Sequence, residues 1–566
     1  MTQDTASAPA MAGWQSSSAV DRIRSVAWSV RHQLAVVAVA LAAHGWLIFN
    51  NGIYWDDWPL YNHLRDRDWS TLRDMVSQVG GIPAYFYIWV VGAYLPPPVT
   101  GFRILAVLCI VGAALLTYQV GVFTGLVTRT EGALIAGLAV AYPGDQTHVM
   151  LITIYYLVFY VAFMGAVRLA LRAESSTGVH RRVLQISAAV LLFVSFGLNS
   201  LIVFVAGAVL LGAIYIRKLR DHRGGLRDLL GELRDHAYLL ILPIVYWIIY
   251  RKFYSPNGLY ADYHQLDFAP RSLIRSAEAF WWSGIVGQFG DSIGLLAAIP
   301  LVWLVALFAV HRAWPRLDLP LATSSRSWWM LAFGAVLAAL AVFPYIAVGL
   351  TPTTHGWMSR HTLLLGLPVG IILVAGMQIL FRTRKRSIGV VGGAILVSIL
   401  LGFVLDSAYS YIQWQARWIK DTSVMATLAS TSNAGSYSVY WIDDNYVLGG
   451  EPTYRFYEWS AMLRQTYGGE SRIGLDRRTT KESFLFDGQP YFTHLYYLGD
   501  FDPRGCEAIV TISQGSEHHS DIGLVARYLY YSLVSPSERD RMMHRVTRVT
   551  VEPYASPYAT NCRAVS

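Results

Sequence analysis

Eleven stretches of this 566-residue chain are long and apolar, and between them the residues are polar and often basic. No soluble fold needs so many runs of that length. A bilayer does, because each crossing takes roughly 20 apolar residues in a helix whose backbone groups are satisfied internally. The runs lie near 33–50, 102–125, 130–143, 149–170, 183–197, 200–216, 237–253, 292–311, 327–349, 362–381 and 387–405. Three of them (130–143, 183–197 and 200–216) are short enough to be half-helices. Composition agrees: 54% of residues are hydrophobic and only 14% charged, against about a quarter charged in soluble domains. A disordered chain is excluded, and the composition argues against an ordinary cytosolic enzyme. The 19 Trp and 34 Tyr suit a protein with two membrane–water interfaces, where such rings settle.

Lys and Arg set the expected orientation, because cytoplasmic loops carry them in excess. With the N-terminus inside, the inner segments hold Arg22, Arg24 and Arg31, then Arg168, Arg172, Arg181 and Arg182. The run from Arg217 to Arg234 follows, then Arg312, Arg316 and Arg326, then Arg382, Arg384, Lys385 and Arg386. Every even-numbered loop is basic. Residues 1–30 read as a disordered cytoplasmic tail, and the first apolar run, longer than a signal-peptide core, as an uncleaved anchor. The expectation is a multi-pass protein of the inner or plasma membrane. The apolar but short segment 82–95, closed by Pro96-Pro97-Pro98, is expected to lie in the outer interface or to re-enter.

Composition changes near residue 420. Residues 421–566 carry a net charge of −4, and the remainder +12. Strand-like runs (436–442, 508–512, 546–551) alternate there with helical ones (451–465, 522–533), and Ser535-Pro536-Ser537-Glu538 reads as a capping box. This predicts a soluble mixed α/β domain which, after an odd number of crossings, lies outside the cytoplasm. Cys506 and Cys562 both fall in it, so a disulfide is open to them; Cys109 sits in an apolar run as a small core side chain. The three parts are thus the tail 1–30, a transmembrane unit 31–420 with an outer loop at 51–101, and the domain 421–566.

The outer loop after the first span is the most informative segment: Asn51-Gly52-Ile53-Tyr54-Trp55-Asp56-Asp57-Trp58-Pro59. Two carboxylates at the hydrocarbon edge are costly and call for a role. One role is structural, with Asp57 capping the helix that Pro59 opens; Asp56 is then the acid left to face a cavity. Residues 60–79, rich in Arg/Asp pairs, read as one interfacial amphipathic helix with a solvated charged face. Gly81-Ile82-Pro83 and Gly101-Phe102-Arg103 follow.

An acidic pair directly after helix one, an amphipathic loop, a Pro-marked apolar segment and an Arg opening helix two resemble the GT-C superfamily of integral-membrane glycosyltransferases. That superfamily includes protein O-mannosyltransferases and the lipid A aminoarabinose transferase. The resemblance covers about residues 33–170 in pattern and the whole chain in architecture. The chain has Gly81-Ile82-Pro83 where the family often has His-Pro-Pro. What the resemblance implies is transfer of a sugar, with inversion, from a polyprenyl-phosphate donor to a glycan, lipid or protein acceptor at the outer membrane face. In the family the first acid of the pair, here Asp56, is the usual base.

The chemistry suits that role. The acceptor hydroxyl must lose a proton, which a carboxylate can take, and the leaving phosphate needs fixed cations. Arg103, Arg251, Lys252 and Arg360 all fall at expected outer helix ends; each also reads as a snorkelling anchor. In Ser359-Arg360-His361, a guanidinium, an imidazole and free helix-start amides stand together, which suits a phosphate. Asp145 and His148 read first as a turn and its cap, although the family often has a second acid or a metal contact near there. Asp262 and His264 have the spacing of a divalent-metal pair in a long outer loop. No Walker A, CxxC or HExxH motif occurs, so neither a cytoplasmic nucleotide-sugar site nor a nucleic-acid partner is expected. The competing readings are a transporter or flippase, and a polymerase or ligase, of lipid-linked glycans.

Overall fold

The computed structural model describes residues 19–80, 88–93, 98–219, 237–254, 256–257, 260–261, 265–298, 301, 304, 308, 312, 324–381, 386–449, 453–469, 472–481, 483–487, 496, 501–517, 519–557, 559 and 562. Helix α1 (Ala19–His44) leads through a tight turn into the acid-bearing loop, where α2 (Asp57–Asp66) and α3 (Trp69–Gln78) lie. The bundle continues with α4 (Pro98–Phe123), α5 (Arg129–Ala141), α6 (Ile154–Glu174), α7 (Gly178–Ser195), α8 (Leu201–Leu219) and α9 (Ala237–Phe253). It closes with α10 (Pro270–Trp281), α11 (Gln288–Ala297), α12 (Ser324–Ile346), α13 (Gly366–Leu380) and α14 (Arg386–Ser430).

This is a multi-pass helical membrane architecture. Among the described residues, six helices are long and apolar enough to cross a bilayer: Val30–Phe49, Val99–Phe123, Ile154–Glu174, Ser325–Ile346, Trp357–Leu380 and Val390–Ser430. The other five of the eleven expected runs are not confirmed as spans among the described residues. Helix α5 has 13 residues, or about 20 Å of helix, against a hydrocarbon core of about 30 Å. Helix α7 carries His180, Arg181 and Arg182 within its first five residues. Of the run at 292–311, residues 292–297 close the described helix Gln288–Ala297, and most positions from 299 to 311 lie outside the described residues.

Two boundaries also differ from expectation. The last crossing does not stop near 405 but continues as one 45-residue helix, α14, about 68 Å long. Its upper half is the scaffold of the C-terminal domain. The outer-loop helix at 60–79 is two helices, broken where Arg67 turns left-handed (φ 57°) and the Asp68 carboxylate accepts the Thr71 amide at 3.2 Å to start α3. Of segment 82–95, residues 88–93 are helical and bury Ile88 and Val91 in the core; 81–87 and 94–97 lie outside the described residues.

The C-terminal domain is mixed α/β, as its alternating runs require. Strand β1 (Val439–Asp444) pairs in parallel with both β2 (Ile473–Asp476) and β3 (Glu507–Gln514), and β3 pairs antiparallel with β4 (Thr547–Tyr554), giving the order β2-β1-β3-β4. Helix α15 (Phe456–Tyr467) is the crossover between β1 and β2; α16 (Asp521–Val534) and α17 (Pro536–Val546) precede β4. Helix α17 begins at Pro536 as expected, but Ser535 makes no side-chain capping bond. Cys506 and Cys562 are disulfide-bonded, and Cys109 is free and buried.

One apolar core joins all three regions around the acid pair. It contains Ile53, Tyr54, Trp55, Trp58 and Leu64 of the outer loop, Phe102 and Ile110 of α4, and Trp414, Val424 and Leu428 of α14. Tyr440, Ile442, Val510, Trp459 and Met462 of the C-terminal domain complete it. Polar seams reinforce the docking. Arg417 pairs with Glu458 at 2.7 Å, Lys420 pairs with Asp444, and the Tyr454 hydroxyl meets Asp421, all but Asp444 buried. Such buried charges persist only when paired, and here each one ties α14 to the domain above it.

Candidate functional site

The loop bearing the acid pair is pinned residue by residue. Arg103, fully buried at the start of α4, donates from Nε to the Asn50 carbonyl (3.3 Å) and from Nη2 to the Gly52 carbonyl (2.9 Å). The Asn50 side chain accepts the Gly52 amide at 2.9 Å, and the Tyr54 hydroxyl bonds the Trp414 carbonyl at 2.7 Å. Gly52 is required, because a Cβ there would sit 1.9 Å from that hydroxyl. Trp55 then adopts a left-handed backbone, φ 53°. For a bulky residue this conformation costs about 1–2 kcal/mol and persists only where the surroundings enforce it.

That twist sends the two carboxylates apart. The Asp57 carboxylate, fully buried, accepts the amides of Leu151 and Ile152, both at 2.8 Å. It fastens the α2 start to the segment before α6 instead of capping its own helix. Asp56 occupies the cap position but makes no capping bond; its side chain lines a cavity.

The cavity has a volume of about 300 Å³ and lies at one end of the bundle. Its walls come from the segment before α6 and its first turn (Thr153, Tyr155, Tyr156), the start of α8 (Asn199, Ser200), the end of α9 (Tyr246, Tyr250), Tyr260, the end of α12 (Tyr345) and the turn before α13 (Trp357, Arg360, His361). Aromatic faces beside scattered hydroxyl and amide groups offer both stacking and directed hydrogen bonds. Arg360 bonds the Trp357 carbonyl from Nη1 at 2.9 Å and lies 4.2 Å over the Trp357 ring. The His361 ring packs 4.9 Å from that of Tyr345.

Burial governs the electrostatics. It raises the Asp56 carboxyl above its ordinary value, opposed by a hydrogen bond from Tyr457 and by the Arg360 and Arg455 charges. It lifts Asp57 to about 7 against the pull of Arg103 and the two amides. Glu458, below the Trp55 amide, is pushed up to about 7 despite Arg417. The Tyr457 and Tyr496 phenols sit well above the usual range, through burial and the nearby Asp56, so both stay protonated donors.

The structure thus gathers Asp56, Arg360 and His361 around one cavity, and the other expected residues elsewhere. Asp57 and Arg103 are behind its wall. Arg251 and Lys252 are exposed in the last turn of α9, with the Lys252 ammonium 5.3 Å from the Phe253 ring centroid. Asp145 accepts the Thr147 amide and hydroxyl and lies 3.5 Å from His148, in a smaller cavity with His44. Asp262 and His264 lie outside the described residues. Among the described residues, no three His, Cys, Asp or Glu side chains gather to hold a metal ion.

Sequence reasoning missed the aromatic wall and the part played by α15. The Tyr155-Tyr156 pair opening a span just after the Asp145 turn was the available signal for the wall. No protein-family model matches the sequence, and no curated protein matches it either. What the fold and cavity define is a multi-pass helical membrane protein with an acid and an arginine lining the same cavity.

Proposed function

We propose that the protein is an integral-membrane glycosyltransferase of the GT-C type, moving a sugar with inversion from a polyprenyl-phosphate donor to a hydroxyl of a glycan, lipid or protein acceptor. The observation that carries this reading is that Asp56 and Arg360, far apart in sequence, share the wall of one Tyr-rich cavity at the end of the bundle.

In this reading the acceptor O–H gives its proton to Asp56 while its oxygen attacks the anomeric carbon. The bond from that carbon to the phosphate oxygen breaks, and the polyprenyl phosphate leaves with the electron pair. Arg360 meets the charge growing on that phosphate, and His361 adds a donor. The stacked aromatic faces hold the sugar ring. The basic residues Arg168, Arg172, Arg181 and Arg182 fall at the helix ends opposite the cavity, which supports an eleven-crossing topology. The N-terminus is then cytoplasmic, and the cavity and C-terminal domain lie on the outer face of the inner or plasma membrane.

The test is reconstitution. Purified protein in liposomes, given a polyprenyl-phosphate sugar and a hydroxyl acceptor, is expected to release polyprenyl phosphate in step with glycosylated product. Intact donor after prolonged incubation across a panel of sugars would refute the reading.

A further inference from the structure

Arg360 is a buried cation without an ion pair. Its side chain is 8% exposed and lines the cavity, yet among the described residues no carboxylate pairs with it. Its bonds go to its own turn, from Nη1 to the Trp357 carbonyl at 2.9 Å and to the Met358 sulfur at 3.5 Å. A buried charge left like this needs something to hold it and something to answer it. What holds it is aromatic. The Arg360 guanidinium lies 4.2 Å over the Trp357 ring, Trp357 stacks on Trp55 at 5.8 Å and 17°, and the Arg455 guanidinium lies 5.6 Å from the Trp55 ring. Trp357 and Arg360 are walls of the cavity. Trp55 is buried in the core that joins the loop to the C-terminal domain, and Arg455 is exposed just before α15.

The far end of the stack is fixed by the C-terminal domain. The Trp55 amide donates to Glu458 of α15 at 3.2 Å, and the same carboxylate accepts the Arg455 amide at 2.8 Å and holds Arg417 at 2.7 Å. That contact helps to enforce the left-handed backbone of Trp55, φ 53°, from which its ring meets Trp357. Further along α15, Arg464 pairs with Asp66 at 2.9 Å and the Gln465 amide reaches Asn62 at 3.4 Å, so the helix lies along α2 as well. We propose that Trp357 and Trp55 are positioning residues for Arg360: the stacked indoles hold its guanidinium at the cavity wall, and α15 holds the indoles. This inference rests on the reading of Arg360 as the cation that meets a lipid phosphate, and it adds the elements that fix that cation in place.

The physical consequence is specific. A guanidinium on an indole face is held by the ring quadrupole, and its flat shape restricts it to few orientations. A phosphate then meets a cation that is already ordered, so less of its binding energy is lost to ordering the side chain. Fluorine on the indole draws electron density from the ring face and weakens that hold while leaving the shape of the side chain nearly unchanged. If the stack positions Arg360, fluorinating Trp357 weakens phosphate binding by roughly 3- to 30-fold. If Trp357 only fills space, it does not.

The probe is undecaprenyl phosphate, which carries the phosphate without any sugar, bound at equilibrium to the full-length protein in lipid nanodiscs. Tryptophan at 357 is replaced by analogues bearing progressively more fluorine, and thermal unfolding confirms that each protein is folded. The expected result is a stepwise loss of affinity along the series. Trp55→Phe, which alters no cavity wall, is expected to weaken binding by about threefold. Arg360→Ala is the control that separates the two claims. Parent-level affinity in a folded Arg360→Ala protein overturns the reading of the site, and the inference with it. Lost affinity in Arg360→Ala beside a flat fluorotryptophan series overturns the inference alone. A graded series beside parent-level affinity in folded Trp55→Phe overturns the part assigned to Trp55 and α15.

Discussion

Replacing Arg360 separates a binding role from a folding role. Its side chain bonds the Trp357 carbonyl and the Met358 sulfur from Nη1 and stacks on the Trp357 ring, leaving Nε and Nη2 for the cavity it lines. Losing the stack costs about 0.5–1 kcal/mol and losing the bond to its own turn about 1 kcal/mol, so Arg360→Ala destabilises the fold by roughly 2 kcal/mol at most. Losing a charge-assisted bond to a donor phosphate costs about 1.5–3 kcal/mol, or roughly 10- to 150-fold in affinity. Arg360→Lys, which keeps the charge but not the planar fork, falls between. The assay is equilibrium binding of a polyprenyl-phosphate sugar to protein in nanodiscs, beside thermal unfolding of the same samples. Affinity within about threefold of the parent for a folded Arg360→Ala protein would refute the phosphate assignment.

Asp57→Ala strips two buried amides of their acceptor, so it is expected to destabilise by about 2–5 kcal/mol in a denaturation series; Arg103→Met, which leaves the Asn50 and Gly52 carbonyls without their donor, should destabilise as well. At position 55 glycine should be more stable than alanine by about 0.5–1 kcal/mol, because the left-handed backbone penalises alanine by more than glycine's extra unfolded-state freedom costs; both lose the Trp55 ring, and thermal unfolding of the pair isolates the backbone term. The pH–rate profile should have an acid limb above the range of an ordinary carboxylate. Burial raises the Asp56 pKa, the deprotonated form is the base, and rate therefore climbs as pH rises through the raised value; a flat profile down to pH values near the ordinary 3.8 would remove Asp56 from the rate law.

The bundle and the mixed domain were legible because apolar run length and strand-like alternation are local signals. For Asp56-Asp57 the sequence expected Asp57 at the helix cap and Asp56 toward a cavity; Asp56 does line the cavity, but it is Asp56 that occupies the cap position. Asp57 holds the amides of Leu151 and Ile152, a contact across 94 residues that no spacing announces. Arg103 looked like an outer cation by position; it is consumed by two backbone carbonyls because the loop at Asn50–Gly52 has no regular structure to satisfy them. Six of the eleven expected spans are helices long and apolar enough to cross a bilayer among the described residues; hydropathy does not report helix length, and the run that forms α5 gives a helix of 13 residues. The break near residue 420 marked a change of composition, not of structure, since α14 runs through it with Arg417, Lys420 and Asp421 already inside the domain. The aromatic wall comes from α6, α9, α12, Tyr260 and the turn before α13, and only folding brings them together.

The central claim is that Asp56 does chemistry while Asp57 holds structure. The most direct measurement is sugar transfer by Asp56→Asn and Asp57→Asn in proteoliposomes, at matched amounts of folded protein. The account predicts that Asp56→Asn loses about 10²–10⁴-fold in rate while binding donor normally, and that Asp57→Asn, once folded, retains transfer at reduced stability. Full transfer by Asp56→Asn, with or without an inactive Asp57→Asn, would contradict it.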